Sequence, residues 1–428
     1  MHPVTPLRRA WAPVALVAGL GLQDPERART WGEGLSSATG ALIVAAAVPL
    51  AGLYGFLSWW FTHYAVTDTE LRIRTGLFFR RTAHLRLDRL QAVDVTRPLL
   101  ARIAGVAKLK LDVVGTEAKD ELAYLGERDA RALRAELLAR AAGFAPEQAR
   151  EVGEAPMREL LRVAPRQLVL SLLLSLSVLG ALAAGLAAPV LIWTFSSSAF
   201  AAAAVLLPVL GGIWAATGGR FLGEYDWTVA ESPDGLRIDH GLLDRAHETV
   251  PPGRVQAVRL VEPLLWRRRG WVRVELAVAG SSNDVLVPVA AREAAEAVLA
   301  RVLPGVDLPA LVFEPAPRRG SRWVVPVWWK GYGLAVTPAV FAARRGRLCR
   351  RTEIVPHAKV QSVRLTQGPW ERVRGVADVS VDHGANGTVT ARLRPAPAAA
   401  ELLTAQAARS HTGRRTAAPD RWMTGPAG

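Results

Sequence analysis

The residues best suited to chemistry in this sequence are arginines and tryptophans. The segment Trp266–Trp271 reads Trp-Arg-Arg-Arg-Gly-Trp, so Arg267, Arg268 and Arg269 lie between two indole rings. Guanidinium groups form paired hydrogen bonds with phosphates and carboxylates, and indole rings favour the headgroup level of a membrane. The segment therefore predicts a contact with anionic lipid or with an acidic partner. A solvated arginine-rich face is the plainer interpretation, because 48 of the 53 basic residues are arginine, a skew typical of GC-rich genomes.

A glutamine motif recurs three times along the chain. The segments beginning at Arg89, Arg254 and Lys359 align without a gap, at offsets of 165 and 105 residues. The aligned glutamines are Gln91, Gln256 and Gln361. The aligned glycines are Gly76, Gly241 and Gly346 before the motif and Gly105, Gly270 and Gly375 fourteen residues after each glutamine. We interpret the glutamines as buried amides that satisfy backbone groups, with a ligand contact as the alternative, and the glycines as backbone devices that permit positive φ.

Paired arginines follow the first aligned glycine in two of the copies. They are Arg80 and Arg81 in copy one and Arg350 and Arg351 in copy three. We assign them to the same predicted lipid or acidic-partner surface as the Trp266–Trp271 segment. Nucleic acid is not expected as a partner, because stacking aromatic residues do not recur among the basic residues of each copy.

Each copy has the hydrophobic pattern of a small β-rich unit. Apolar residues alternate at Leu71 and Ile73, at Leu109 and Leu111, and at Val272 and Val274, as in half-buried strands. An alanine-rich helix is predicted at the end of each copy, over residues 127–142, 290–303 and 397–410. The order of several antiparallel strands followed by one helix predicts an α+β unit of about 80 residues, a small barrel or sandwich closed by its C-terminal helix.

The tripled motif resembles the bacterial pleckstrin-homology-like (PH-like) membrane proteins. The resemblance rests on paired apolar segments, the glycine hairpin, the (Leu/Val)-Gln-(Ala/Ser)-Val motif and the arginine-rich turn into a glycine, and it covers most of residues 1–410. It implies three PH-like small barrels, and it supplies no catalytic residue. Copy three departs from the pattern, with Gly368-Pro369 in place of a single proline and no apolar pair directly before it.

Two long apolar runs predict a transmembrane hairpin. Residues 168–217 contain no charged residue and divide at Thr194–Ser198 into two runs, each close to the length that crosses a bilayer as a helix. An earlier run, residues 37–61, is a further span, and residues 10–22 are either a short span or a signal peptide. Arg158, Arg162 and Arg166 precede the hairpin and its loop is uncharged, so we expect both large polar regions to face the cytoplasm.

These observations predict a domain order along the chain. It comprises an N-terminal membrane hairpin (1–61), PH-like domain 1 (62–143), a linker (144–167), the transmembrane hairpin (168–217), PH-like domain 2 (218–305), a linker containing Trp323, Trp328, Trp329 and Lys330 (306–330), PH-like domain 3 (331–410) and a disordered tail (411–428).

The composition argues against an enzyme. Cys349 is the one cysteine, the eight histidines are scattered, and the sequence has no nucleophile elbow, phosphate loop or dinucleotide-binding fingerprint. We therefore expect no catalytic residue, metal or cofactor. The predicted function is a multi-pass protein of the cell membrane whose PH-like domains bind anionic lipid, protein partners or a second copy of the chain. The alternative is an accessory subunit of a membrane enzyme, a transporter or an envelope-stress or antimicrobial-resistance system.

Overall fold

The computed structural model describes residues 63–67, 70–75, 81–86, 90–97, 101–102, 105–113, 120–141, 158–196, 199–232, 235–250, 252–278 and 284–417. These fall into two compact units, Met1–Glu154 (unit 1) and Ala155–Gly428 (unit 2). The predicted N-terminal hairpin, the first part of the predicted 144–167 linker, Gly76, Arg80 and the end of the predicted tail lie outside the described residues.

The described part of unit 1 contains six strands and one helix, where the sequence predicts several antiparallel strands followed by one helix. They are β1 (His63–Val66), β2 (Glu70–Thr75), β3 (Arg81–Arg86), β4 (Leu90–Arg97), β5 (Val106–Val113), β6 (Asp120–Gly126) and α1 (Glu127–Ala141). Strands β1 to β3 pair antiparallel in order, and β4 to β6 do the same. The alternation at Leu109 and Leu111 is confirmed, because both side chains are at most 1% exposed. The helix α1 buries Ala130, Leu133 and Leu137, which follow a helical period.

Unit 2 begins with strands and helices that are interleaved in the sequence. Its first strands are β7 (Arg158–Arg162), β8 (Thr228–Ser232), β9 (Gly235–His240) and β10 (Arg245–Val250), which pair antiparallel in this order. Three helices lie between β7 and β8: α2 (Pro165–Leu173), α3 (Leu176–Ser196) and α4 (Ala199–Glu224). The helical segment thus leaves the sheet after one strand and returns to the adjacent strand.

Copies two and three share one seven-stranded sheet. The strands are β11 (Val255–Pro263), β12 (Trp271–Val278), β13 (Val285–Ala291), β14 (Glu314–Pro315), β15 (Gly333–Val336), β16 (Val340–Arg345) and β17 (Cys349–Pro356), in the spatial order β13-β12-β11-β17-β16-β15-β14. The two copies meet where β11 pairs antiparallel with β17, with Val258 opposite Ile354. A separate three-stranded sheet follows, of β18 (Val360–Thr366), β19 (Val376–His383) and β20 (Gly387–Pro395).

The expected closed barrels are not what forms. The described sheets are open, and the strand edge that would close copy two onto itself is instead paired with copy three. The physical reason is that β11 pairs with β12 along one edge and with β17 along the other, so both rows of its backbone hydrogen-bonding groups are satisfied without closure. What the structure establishes is therefore sheet-rich PH-like domains joined edge to edge, rather than three separate barrels.

Five further helices complete unit 2. They are α5 (Leu264–Arg267), α6 (Arg292–Val302), α7 (Arg318–Val324, broken at Arg319 and Gly320), α8 (Pro369–Val373) and α9 (Ala396–Thr416). The predicted C-terminal helices of copies two and three correspond to α6 and α9. Trp227, Leu286 and Leu299 are almost completely buried in the main core of this unit, which α2 also enters through Leu168 and Leu172.

Two helices are long and apolar enough to cross a membrane. The candidate spans are Val178–Phe195 in α3 and Ala204–Glu224 in α4. The first predicted run differs from the structure at its start, because residues 168–173 belong to the separate helix α2. That helix ends at Leu174, whose N–H bonds the Leu170 and Leu172 carbonyls, and its apolar residues are divided between the protein core and the surface.

Candidate functional site

The aligned glycines at the end of each motif form hydrogen bonds with both the preceding turn and the start of the C-terminal helix. Gly105, Gly270 and Gly375 have φ of 67°, 66° and 66°. Each donates its N–H to the carbonyl three residues earlier, at 3.2 Å in all three copies. Each glycine carbonyl accepts the N–H of the first helical residue, from Glu127 at 3.2 Å, Arg292 at 2.8 Å and Ala396 at 2.9 Å. The repeat therefore encodes one backbone device three times.

The described hairpin glycines, Gly241 and Gly346, are constrained both by φ and by the space around Cα. Gly241 has φ of 104° and Gly346 has φ of 89°, where L side chains are strained. A Cβ at Gly241 would lie 2.0 Å from the Asp244 carbonyl oxygen, and one at Gly346 would lie 2.1 Å from the Cys349 carbonyl oxygen. Both positions thus require the absence of a side chain as well as an unusual φ.

The repeated glutamines do not share one environment. Gln91 lies in β4. Gln256 is half-buried and donates from Nε2 to the Arg254 carbonyl at 3.1 Å, whereas Gln361 is exposed. The expectation of buried amides therefore fails at Gln361, because β18 begins a separate sheet and leaves this side chain in solvent. Gln256 and Gln361 both approach Gly384, where an added Cβ would lie 3.0 Å and 3.1 Å from their amide atoms.

A cleft of about 290 Å³ lies beside these glutamines. Arg259, Glu275, Glu353 and His383 line it together with the β19–β20 hairpin. Arg259 donates to Glu353 at 2.8 Å and lies 3.4 Å from Glu275, so this arginine pairs with two of the carboxylates that line the cleft. His383 is 5% exposed and burial lowers its pKa, which favours the neutral imidazole. Among the described residues, no group of three or more His, Cys, Asp or Glu side chains could hold a metal ion.

The predicted Trp266–Trp271 contact surface is divided by the structure. Trp266 is only 2% exposed and donates from Nε1 to the Ser171 carbonyl of α2 at 3.0 Å, so it is a core residue and not a lipid contact. The reason is that the turn α5 packs beneath α2, where an indole fills space and reaches an acceptor. The same aligned position in copy one is the buried Ala101.

The arginines of the segment also differ from one another. Arg267 is half-buried and donates to the Arg347 carbonyl at 2.5 Å. Arg268 and Arg269 are exposed, and the Arg269 guanidinium lies 5.4 Å from the ring centroid of the half-buried Trp271. Only part of the predicted surface is therefore accessible.

The other predicted arginines that the structure describes lie on strands. Arg81 is the first residue of β3. Arg350 lies 4.0 Å from the Glu262 carboxylate, and Arg351 is exposed opposite Val261 in the register of β17 with β11. The structure does not bring them into one cluster with Arg268 and Arg269 by any described contact.

The end of α4 is fixed to the sheets by charge and aromatic contacts. Glu224, its last residue, accepts a hydrogen bond from Arg273 of β12 at 2.8 Å. His240 lies 2.8 Å from the Gly223 carbonyl and stacks on Trp227 with centroids 4.2 Å apart. Burial alone would lower the pKa of His240, but Glu248 and the Gly223 carbonyl outweigh it and raise this pKa above its usual range.

Sequence reasoning missed Trp370, which is 53% exposed in α8. Its ring lies 4.6 Å from the Arg374 guanidinium, and the same guanidinium lies 5.1 Å from Trp323. The signal was present in the alignment of the copies. Trp370 stands one place earlier in its turn than Trp266 does, and follows Gly368-Pro369 directly.

Comparison with protein families accounts for the tripled motif and the fold. The family model described as "Bacterial PH domain" matches residues 14–141, 168–306 and 312–410. The chain belongs to the bacterial PH domain family. This bacterial PH domain protein is also 20% identical over 249 residues to the UPF0699 transmembrane protein YdbT of Bacillus subtilis, which covers 51% of this chain and 50% of that protein. It thus spans about half the length of this curated relative. No solved structure matches it.

Proposed function

We propose that this bacterial PH domain protein is an integral membrane protein that carries its PH-like domains as a rigid, non-catalytic binding platform on the cytoplasmic side. The observation that carries the proposal is the hydrogen bond from Trp266 to Ser171, which joins the β-rich core to α2, the helix directly before the α3–α4 hairpin. A flexible tether would need no such contact.

The attachment of the hairpin continues into the main core. Leu168 and Leu172 of α2 belong to the same buried cluster as Val274 and Leu299 of copy two. On the other side of the hairpin, Glu224 at the end of α4 pairs with Arg273. Both ends of the helical segment are thus fixed to β-strands, which supports a domain held in one orientation relative to the membrane.

A membrane location is supported by the exposed faces of the hairpin. Phe195 is 87% exposed and Trp214 is 75% exposed within the protein, and both lie in the candidate spanning segments. Such faces are costly in water and normal in lipid. The related protein named above is described as transmembrane. Arg158, Arg162 and Arg166 lie before the hairpin, which favours a cytoplasmic position for both polar regions.

A binding role is favoured over catalysis by the chemistry of the described cleft. Arg259 lies between Glu353 at 2.8 Å and Glu275 at 3.4 Å, an arrangement typical of a structural ion pair. We propose that the platform recruits protein partners or a second copy of the chain, since the domains present long sheet surfaces and carry no repeated acid–base pair.

Cysteine labelling of intact cells tests the membrane insertion and its orientation. In a chain with Cys349→Ser, Ser197→Cys places a thiol in the hairpin loop and Ala408→Cys places one on the exposed side of α9. An impermeant maleimide should label the first from outside and the second only after the cells are opened. Labelling of Ala408→Cys in intact cells would contradict the orientation, and extraction of the protein by alkaline carbonate would contradict insertion.

Partner recruitment is tested by chemical crosslinking before detergent extraction. We expect a defined partner or a homodimer to be recovered with the full chain. A chain that remains monomeric and unaccompanied after crosslinking, while inserted in the membrane, would contradict the platform.

A further inference from the structure

An exposed aromatic and basic surface lies on copy three, at the junction of α7 and α8. We call it the Trp323–Trp370 surface, and it consists of Arg322, Trp323, Trp370, Val373 and Arg374. Trp323 is 54% exposed, Trp370 is 53% exposed and Val373 is 74% exposed. This is a large apolar area to leave in water, because single exposed apolar residues are common but contiguous aromatic ones mark contact sites.

The rings of this surface contact the neighbouring arginines, and the Trp370 ring also contacts the Trp323 backbone. The Arg374 guanidinium lies between the two indoles, 5.1 Å from Trp323 and 4.6 Å from Trp370. Trp370 Nε1 donates to the Trp323 carbonyl at 3.2 Å, and Arg322 lies 5.0 Å from the Trp323 ring. Cation–π contacts thus hold an apolar surface that faces outward.

The surface is rich in positive charge. Arg318, Arg319, Arg322 and Arg374 line one shallow depression with Trp323. In the part of the chain that the structure describes, Arg318, Arg319 and Arg322 form no ion pair. Two acidic residues lie near the surface in sequence. Glu314, four residues before Arg318, lies 3.7 Å from Arg394, and Glu371 accepts the Gly368 N–H at 2.9 Å and so caps α8. An anionic contact is therefore the complement that this surface lacks.

We define the hairpin foot as α2 and the adjacent ends of α3 and α4. Its position fixes which end of unit 2 faces the membrane. The turn α5 lies at the foot because Trp266 contacts α2. Pro263, directly before α5, is opposite Cys349 in the register of β11 with β17. Arg267 also donates to the Arg347 carbonyl. The turn that precedes β17 is therefore at the hairpin foot.

The Trp323–Trp370 surface continues from that same turn. The 3₁₀ turn Trp329–Gly331 packs on it so closely that a Cβ at Gly331 would lie 2.8 Å from the Gly346 carbonyl carbon. Trp329 shares an apolar cluster with Val376, which follows Arg374 by two residues. Gly333 at the start of β15 lies opposite Arg344 near the end of β16, so the Trp329–Gly331 turn is at the same end of the sheet as the turn before β17. The cluster of Trp329 with Val376 places the surface at this end of unit 2 as well.

We propose that the Trp323–Trp370 surface docks copy three onto the anionic phospholipid surface of the membrane that the hairpin enters. The inference rests on the proposed membrane insertion and names a lipid contact that the hairpin does not provide. Indole rings favour the headgroup level and arginines pair with phosphate, so both parts of the surface suit the same occupant.

The contact gains from being intramolecular. The hairpin holds copy three near the bilayer, so even a weak surface contact operates at high effective concentration. Each arginine near an anionic bilayer is expected to change the ratio of docked to undocked protein by roughly fivefold. Removing two arginines should therefore reduce docking by roughly 25-fold.

Site-directed spin labelling of the full chain tests the docking. In a Cys349→Ser background, single cysteines replace Val373 on the surface, Ala408 on α9 and Leu210 on α4. The labelled chain is reconstituted into vesicles of phosphatidylcholine alone or of phosphatidylcholine mixed with phosphatidylglycerol. We expect the Val373→Cys label to become shielded from a water-soluble relaxation agent in the mixed vesicles only. The Ala408→Cys label should remain accessible in both.

Charge variants supply the matched comparison. Arg318→Gln with Arg322→Gln should restore access to the Val373→Cys label in mixed vesicles. Arg409→Gln with Arg415→Gln, which removes the same charge from exposed positions on α9, should not. Equal effects of the two double variants would overturn the proposal.

The label on Leu210→Cys separates the two possible failures. If it is shielded by lipid while Val373→Cys stays accessible in both vesicles, insertion holds and the docking is overturned. If Leu210→Cys is itself accessible to the aqueous agent, the proposed insertion fails. Shielding of Val373→Cys to the same extent in neutral and mixed vesicles would overturn the role of anionic lipid.

Discussion

Glu262 and Arg292 form an ion pair at 2.5 Å, and the equivalent positions of copy one hold the same pair with the charges exchanged. There Arg97 lies 2.7 Å from Glu127. In each case one partner is the last or the penultimate residue of the strand that carries the glutamine motif, and the other begins the C-terminal helix. The contact is therefore a property of the repeated fold, and its polarity is a property of the copy.

Reversing this pair should show that geometry matters and polarity does not. Arg292→Glu should lower the free energy of unfolding by about 2 kcal/mol, because it places a like charge beside Glu262, which is 5% exposed. The double variant Glu262→Arg with Arg292→Glu should recover part of that loss, because it restores the pair with the polarity of copy one while Arg350 and Glu296 become like-charged neighbours. Denaturant unfolding of the detergent-solubilised chain measures both.

The exposed pair of Arg301 and Glu231 is the control for the reversal. Their side chains are 49% and 35% exposed, so Arg301→Glu should change stability by about 0.5 kcal/mol or less. A double reversal at Glu262 and Arg292 that is less stable than Arg292→Glu alone would contradict the equivalence of the two copies.

The two kinds of aligned glycine should respond differently to alanine. Gly241→Ala should cost about 2 kcal/mol or more, because the new methyl group would meet the Asp244 carbonyl oxygen and φ is +104°. Gly270→Ala should cost about 1 kcal/mol, because φ of +66° is strained but nothing lies within 4 Å of the new atom. Unfolding midpoints of the two variants test the order, and equal midpoints would contradict it.

Replacing Trp266 should loosen the hairpin foot. Trp266→Phe keeps an aromatic ring but removes the indole N–H that donates to the Ser171 carbonyl, at a cost of about 1 kcal/mol. Trp266→Ala also leaves a cavity and should cost about 4 kcal/mol. Hydrogen exchange should become faster in α2 and α6 in both variants. Trp214→Phe, at a residue that is 75% exposed, is the control and should leave this exchange unchanged.

Protonation of His240 should stabilise the end of α4. Glu248 and the Gly223 carbonyl raise the pKa of His240 in the folded chain. The folded state therefore favours the protonated imidazole over the neutral one. The stabilisation is complete below the unfolded pKa of about 6.5 and is lost as the pH rises through the higher folded value.

The difference in unfolding free energy between the wild type and His240→Phe isolates this contribution. It should be larger at a pH of about 6 than at about 8. Burial lowers the pKa of His357 and of His383, so these groups act in the opposite direction, but they are common to both proteins and cancel in the difference. A difference that stays constant or grows with pH would contradict the assignment.

The sequence by itself determined the repeated units. Three features could be predicted from the local pattern: the turn glycines, the C-terminal helix of each copy and the alternating strands. Each depends on backbone conformation and burial within a few residues. The alanine-rich segment 290–303 predicts the helix that the structure places at Arg292–Val302, although the hydrogen bond from Arg292 to Gly270 becomes visible only in the fold.

Which surface covers each unit was decided only by the tertiary structure. Alternating residues in β11 indicate that one face is buried, but they do not specify whether Pro263 and its neighbours pair within copy two or with Cys349 of copy three. The same holds for the tryptophans. The local sequences around Trp266 and Trp370 are alike, yet α2 covers the first and the second is left exposed. Apolar packing is non-directional, and every strand presents the same backbone donors and acceptors along its edges, so the partners are selected by the three-dimensional arrangement of whole elements.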